Sequence, residues 1–101
     1  MQKPIEYHFE AEAEIVESAE WYDRQKPGLG IEFLDEIDAA LAQISSTPEA
    51  FGYLYADVRC HLIHRFPFGI LYIVQAEKIF IVAVMHLHRE PGYWKNRVEN
   101  R

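Results

Sequence analysis

Two apolar runs, Phe68-Gly69-Ile70-Leu71-Tyr72-Ile73-Val74 and Ile79-Phe80-Ile81-Val82-Ala83-Val84-Met85, stand four residues apart in the chain. Neither alternates with polar residues, so each reads as a strand buried on both faces, at the centre of a sheet. The short connection near Ala76-Glu77 suits antiparallel neighbours. Upstream, Val58 to Phe66 alternates instead. Val58, Cys60, Leu62, His64 and Phe66 point one way, Arg59, His61, Ile63 and Arg65 the other, and Pro67 ends the run. A sheet of this kind needs cover, and the first half of the chain supplies it.

Ile5-Glu6-Tyr7-His8-Phe9 reads as a short first strand. From Ala11 to Arg24 the period changes. Ile15, Ala19 and Tyr22 fall at helical spacing with Val16 alongside, while Glu12, Glu14, Glu17 and Glu20 cover the other faces. Gln25-Lys26-Pro27-Gly28 breaks that helix. A second spans about Ile31 to Ser45, with Leu34, Ile37, Leu41 and Ile44 as its stripe, until Thr47-Pro48 stops it. Glu49 to Asp57 reads as an aromatic-rich loop, and Pro91 to Arg101 as a basic tail with a short helix. The order is β-α-α-β-β-β: an α+β domain with a helical hairpin on a small, mainly antiparallel sheet. A length of 101 residues implies one domain, residues 1–101.

Composition narrows the function classes. Half the residues are hydrophobic and Gly plus Pro total ten, which excludes a disordered or low-complexity chain. No apolar run approaches the ~18–20 residues of a membrane span. Met1-Gln2-Lys3-Pro4-Ile5-Glu6 lacks the apolar stretch of a signal peptide. A single cysteine, Cys60, closes no intrachain disulfide, so the expected setting is the reducing cytoplasm. The net charge of −6 argues against simple electrostatic binding to nucleic acid. Residues 1–57 hold three basic and 13 acidic side chains; residues 58–101 hold seven basic and three acidic. Either the acids merely solvate helices, or the molecule is bipolar and its basic half meets a negative partner.

Arg59, His61 and Arg65 share one strand face by alternation, and His86 to Arg89 end a strand of the same sheet. If the faces coincide they form a cationic patch suited to phosphate or an acidic surface. The alternative is a solvated polar face opposite the helices. His86 and His88 are the candidate acid and base of a ribonuclease, since imidazole titrates near neutrality. His61-x-x-His64 and His86-x-His88 lack the cysteine or carboxylate partners of a metal site, so no metal and no cofactor are expected. Cys60 reads as core. Tyr93 and Trp94 either stack on a base or pack the tail against the sheet. Trp21, Phe51, Tyr53, Leu54 and Tyr55 add apolar area in or near loops, which marks an interface.

Several segments together resemble the RelE/ParE superfamily of type II toxins. They are Trp21-Tyr22, Pro27-Gly28-Leu29-Gly30 with Phe33-Leu34, Val58-Arg59, Arg65-Phe66-Pro67-Phe68 with Tyr72, and His86-Leu87-His88-Arg89-Glu90-Pro91-Gly92-Tyr93-Trp94. The resemblance covers almost the whole chain. It implies a cytoplasmic growth inhibitor held inactive, as a hetero-oligomer, by an antitoxin encoded beside it, with Trp21, Phe51, Tyr53, Leu54 and Tyr55 as its contacts. The RelE-like branch cuts messenger RNA in the ribosome and uses an arginine where Gly69 stands here. Its candidate catalytic set would be Arg59, Arg65, His86, His88, Arg89 and Tyr93. The ParE-like branch blocks DNA gyrase through binding surfaces. The Phe-Pro-Phe turn and the His-x-x-Arg-x-Pro-x-Tyr-Trp ending look closer to that branch, with Arg59, Arg65, Arg89, Tyr93 and Trp94 as target contacts. A diverged chain that binds its antitoxin without toxicity is the remaining alternative.

Overall fold

Strands β4 (Phe68–Val74) and β5 (Ile79–His86) pair antiparallel at the centre of a five-stranded sheet, as their doubly apolar sequences require. The structure, a computed structural model, describes residues 2–99, so Arg101 of the basic tail lies outside the described residues. On one side of β4 lies β3 (Val58–Ile63), antiparallel, followed by β2 (Tyr53–Tyr55) at the sheet edge. On the far side of β5 lies β1 (Ile5–Tyr7), the one parallel neighbour, which gives the order β1-β5-β4-β3-β2. Strand β2 falls inside the segment expected to be loop. Its three residues are too few for a period to show, although two tyrosines flanking a leucine suit a strand.

The chain leaves β1 directly into α1 (Phe9–Gln25), so the expected strand stops two residues early. His8 makes the switch, because its Nδ1 accepts the Glu10 N–H at 3.1 Å and caps the helix. After a tight turn, α2 (Leu29–Ser46) begins at a glycine with φ of 91°, a left-handed conformation that suits Gly28. That cap has no side chain. Asp23 of α1 takes its place, with Oδ1 accepting from Gly28 N at 2.9 Å and Gly30 N at 3.2 Å. Gly30 also sets the spacing of the hairpin: a Cβ there would stand 2.5 Å from the Ala19 carbonyl oxygen.

The hairpin lies on one face of the sheet. From α2 it buries Phe33, Ile37, Ala40, Leu41 and Ile44 against Ile70, Tyr72, Ile79, Ile81 and Val84. The buried stripe is thus rotated from the expected one: Phe33 is in the core, while Leu34 is 37% exposed. Val16, expected beside the apolar stripe of α1, is 55% exposed. Tyr22, Phe33, Phe66 and Phe68 meet as an aromatic cluster, with ring centroids 4.8 Å apart for Tyr22–Phe66 and 5.0 Å for Phe33–Phe68. They join both helices to the β3–β4 turn.

The opposite face is apolar as well. Val58, Leu71, Ile73, Val82 and Ala83 are buried there, and the tail covers part of them through Trp94 and α3 (Lys95–Glu99). Val82 and Ala83 are consecutive yet share this face, because β5 bulges opposite Leu71 and Tyr72. On β3, Arg59, His61 and Ile63 alternate onto the helix side, not onto an open face opposite the helices.

Two consequences are measurable. A Gly→Ala change inside a helix ordinarily stabilises by up to ~1 kcal/mol, but Gly30→Ala would push α1 and α2 apart. We expect a loss of about 1–3 kcal/mol by urea unfolding. Tyr72 is fully buried, and its hydroxyl donates to the Pro48 carbonyl at 2.6 Å. Burial pushes its phenol up to about 12, with Arg59 pulling down and Cys60 pushing up. The unfolded phenol titrates near 10. The folded state therefore holds the proton more tightly, and this contribution is complete below about pH 10 and lost between about 10 and 12. Tyr72→Phe should flatten that alkaline fall in stability while costing about 1 kcal/mol at neutral pH.

Candidate functional site

The basic residues singled out by sequence do not form one patch. Arg59 lies at the start of β3 and is engaged from within. Its Nη1 donates to the carbonyls of Glu49 (3.2 Å) and Phe51 (2.7 Å), its Nη2 to the Tyr53 hydroxyl (2.7 Å), and its guanidinium stacks 4.0 Å over the Tyr53 ring. It braces the loop between α2 and β2. Phe51, in that loop, is half-buried against the His61 ring at 4.0 Å, so it presents little free surface. Burial, and then the nearby His64, lower the pKa of His61.

Arg65 sits past the other end of β3. From Arg59 to Ile63 alone the strand spans about 13 Å. Arg65 pairs with Glu32 of α2 and lies over the Phe66 ring. At this same end of the sheet stand His86, the last residue of β5, and His88, their rings 5.2 Å apart. His86 Nδ1 accepts the His88 N–H at 3.0 Å, which leaves Nε2 of His86 to carry the imidazole proton. His86 also forms one wall of a groove of about 400 Å³ with Ser18, Trp21, Tyr22, Pro67 and Phe68. Trp21 is half exposed there, at 51%.

Arg89 and Tyr93 do come together, with the guanidinium 4.0 Å above the ring. Both face Glu14, which in the sequence alone is one of several acids on the polar side of the first helix. Tyr93 donates its hydroxyl to Glu14 Oε2 at 2.7 Å, and Arg89 lies 4.0 Å from the same oxygen. Arg97, 6% exposed, brings Nη1 to Glu14 Oε1 (3.0 Å) and Nη2 to Glu14 Oε2 (2.9 Å) and Glu10 Oε2 (3.2 Å). Burial first, and then the Glu14 hydrogen bond, raise the pKa of Tyr93 well above that of a free phenol. In the sequence this centre shows only as Arg89 and Tyr93 near the end and as the Glu10/Glu14 pair at i, i+4 on the first helix.

The network has a backbone purpose. Strand β1 covers β5 only along Ile79 to Ile81, with His8 N donating to Ile81 O just beyond. The rest of that edge would be bare. Glu14 Oε1 accepts the Val84 N–H at 2.9 Å, and Arg97 Nη1 donates to the Val82 carbonyl at 3.1 Å. Two side chains thus do what a neighbouring strand would do.

On the face away from the helices, Trp94 is 2% exposed, a core residue with Tyr55 against its edge at 5.9 Å. Leu54, Tyr55, Met85, Leu87 and Lys95 surround it in an open groove of about 300 Å³. Cys60 lies half-buried on this face, where burial pushes its thiol up, as suits a packing residue. A Cβ at Gly69 would meet Cys60 Sγ at 2.9 Å and Leu62 and Leu87 at 3.4 and 3.8 Å. Among the described residues, no group of three or more His, Cys, Asp or Glu is placed to hold a metal. No helix among them is long and apolar enough to cross a membrane.

A helical hairpin on a five-stranded mixed sheet is an α+β arrangement that matches a ParE-like fold. Residues 5–91 match the family described as ParE toxin of type II toxin-antitoxin system, parDE, and the chain belongs to that family. It is similar in fold to a chain of the chromosomal ParDE TA system from P. aeruginosa. The TM-score is 0.69 at 15% identity, over 86% of this chain and 98% of that one. No curated protein matches it. Tyr93, Trp94 and Arg97 lie beyond the matched residues.

Removing one member of a buried ion pair strands the other. Arg97→Ala should therefore cost about 3–5 kcal/mol, a large part of the 5–15 kcal/mol typical of a domain. Glu14→Gln should cost less, since an amide oxygen still accepts from Val84. Chemical denaturation of the three proteins checks this order.

Proposed function

We propose that this ParE-family toxin arrests growth in the cytoplasm by a binding action on DNA gyrase, and that a cognate antitoxin encoded by the adjacent gene neutralises it. The observation that carries this reading is the surrounding of Gly69. The RelE-like branch projects an arginine from that position, and here Cys60, Leu62 and Leu87 close the space a side chain would enter. Metal-independent cleavage of RNA needs a base, an acid and cations converging on one phosphate. Arg59 is spent on its own loop, and Tyr93 commits its hydroxyl hydrogen bond to Glu14. Arg65 and Arg89, both about half exposed, remain at the surface as contacts for an acidic partner.

The RelE-like reading keeps one specific support, the His86–His88 pair beside Arg89. Purified protein should inhibit supercoiling by gyrase and leave ribosome-bound messages intact. Cut messages with normal supercoiling would reverse the assignment, and unaffected growth on induction would mean a non-toxic antitoxin binder. Arg97 holds Glu14 without help from Arg89, so Arg89→Ala should stay folded. We expect it to relieve growth arrest at least about tenfold in inducer dose, the scale of one interfacial contact. Full toxicity from a folded Arg89→Ala variant would remove Arg89 from the target surface.

A further inference from the structure

Two stretches of the sheet's edge are blunted. Strand β1 follows Pro4 and carries Glu6 at its middle, paired with Lys78 at 2.9 Å. The uncovered half of β5 is closed by Glu14 and Arg97. Strand β2 has neither device. Tyr53, Leu54 and Tyr55 carry no charge and no proline, and they are 64%, 51% and 43% exposed at the outer edge.

An edge of three residues offers few ladder hydrogen bonds, so an added strand there needs further anchors. The second face provides them. Pairing shifts register between Tyr53 and Tyr55, and Leu54 and Tyr55 both line the groove that runs to Met85, Leu87 and Trp94. Leu62, 52% exposed, and Leu87, 43% exposed, extend the apolar surface of this face beside Gly69. The groove is also charged in one sense. Lys95, with its ammonium 4.2 Å above the Tyr55 ring, and Arg89 line it, and no carboxylate does. A second copy of this chain would bring the same cations against each other, which disfavours self-pairing. The acids of the chain lie chiefly on α1 and α2, on the other side of the sheet.

We propose that the outer edge of β2 receives an extended segment of the antitoxin as an added strand, its apolar side chains filling the second-face groove and its carboxylates meeting Lys95 and Arg89. This rests on the reading that the chain has a neutralising protein partner, and it assigns that partner's surface and chemistry. Trp21 and Phe51 lie outside this surface.

The test uses the complex of the full chain with the product of the adjacent gene. Amide exchange at residues 53–56 should slow at least about tenfold on binding. Leu54→Asp should weaken the complex at least about tenfold, as loss of a central apolar anchor does. Lys95→Glu should mainly slow association and reduce its salt dependence. Leu54 and Lys95 are exposed, so each variant should fold, which circular dichroism checks. Unchanged exchange at residues 53–56, or full affinity in Leu54→Asp, overturns the proposal. So does a complex lost by Trp21→Ala but kept by Leu54→Asp, which puts the partner on the α1 groove. A free chain that dimerises and loses dimerisation on Leu54→Asp assigns the edge to a second copy instead. Absence of any complex with the unaltered chain overturns both this surface and the antitoxin reading.

Discussion

The carboxylate of Glu14 holds together parts of the molecule that no run of sequence connects. It accepts from the backbone of β5, from the hydroxyl of Tyr93 and from the guanidinium of Arg97, with helix α1 carrying it to all three. The contact with Val84 is an ordinary hydrogen bond, and that with Arg97 is a buried ion pair. Together they remove a buried charge, a buried phenol and a bare strand edge from the account of unsatisfied groups. The tail keeps its place on the second face because Arg97 is anchored there, and Trp94 lies buried three residues before it. The second-face groove in turn has its wall because the tail is in place.

A division of labour follows for the residues that make the family legible. Tyr22, Phe33, Phe66 and Phe68 are ring neighbours in the core, and Gly30 is the point of closest helix approach. They hold the hairpin to the sheet. Trp21, next to Tyr22, is half exposed and lines the groove with Tyr22, Phe68 and His86. The buried part of the motifs is a record of packing, and the surfaces available for recognition are built from their exposed members and neighbours.

Charge is distributed by the same logic. Glu10 and Glu14 of α1 turn to the tail and to β5. The other acids of α1 and α2 lie on the helical side of the sheet, while Lys95 and Arg89 line the groove on the opposite side. Arg59 and Arg97, which sequence counts equally as positive charge, are absorbed by carbonyls and carboxylates within the fold. The bipolarity is therefore real in arrangement but smaller in reach than a residue count implies.

Periodicity determined the elements that are long enough to show it. The doubly apolar β4 and β5, the alternating β3 and the two helices are all legible, because each repeats its pattern over several turns or pleats. Part of the RelE/ParE resemblance is legible for a related reason, since Phe33, Phe66, Phe68 and Tyr72 among its motif residues are core residues with strict steric demands. What only the tertiary structure decided concerns pairs far apart in the chain. Strand β2 exists because β3 offers an edge to three residues that show no period of their own. The face of Arg59 was decided by which side the hairpin took. Glu14 and Arg97, 83 residues apart, meet because β1 is short and leaves part of β5 uncovered. A local pattern reports which groups seek burial, but an edge left bare by a neighbour's length, and the side chains that close it, arise only once the strands are in order.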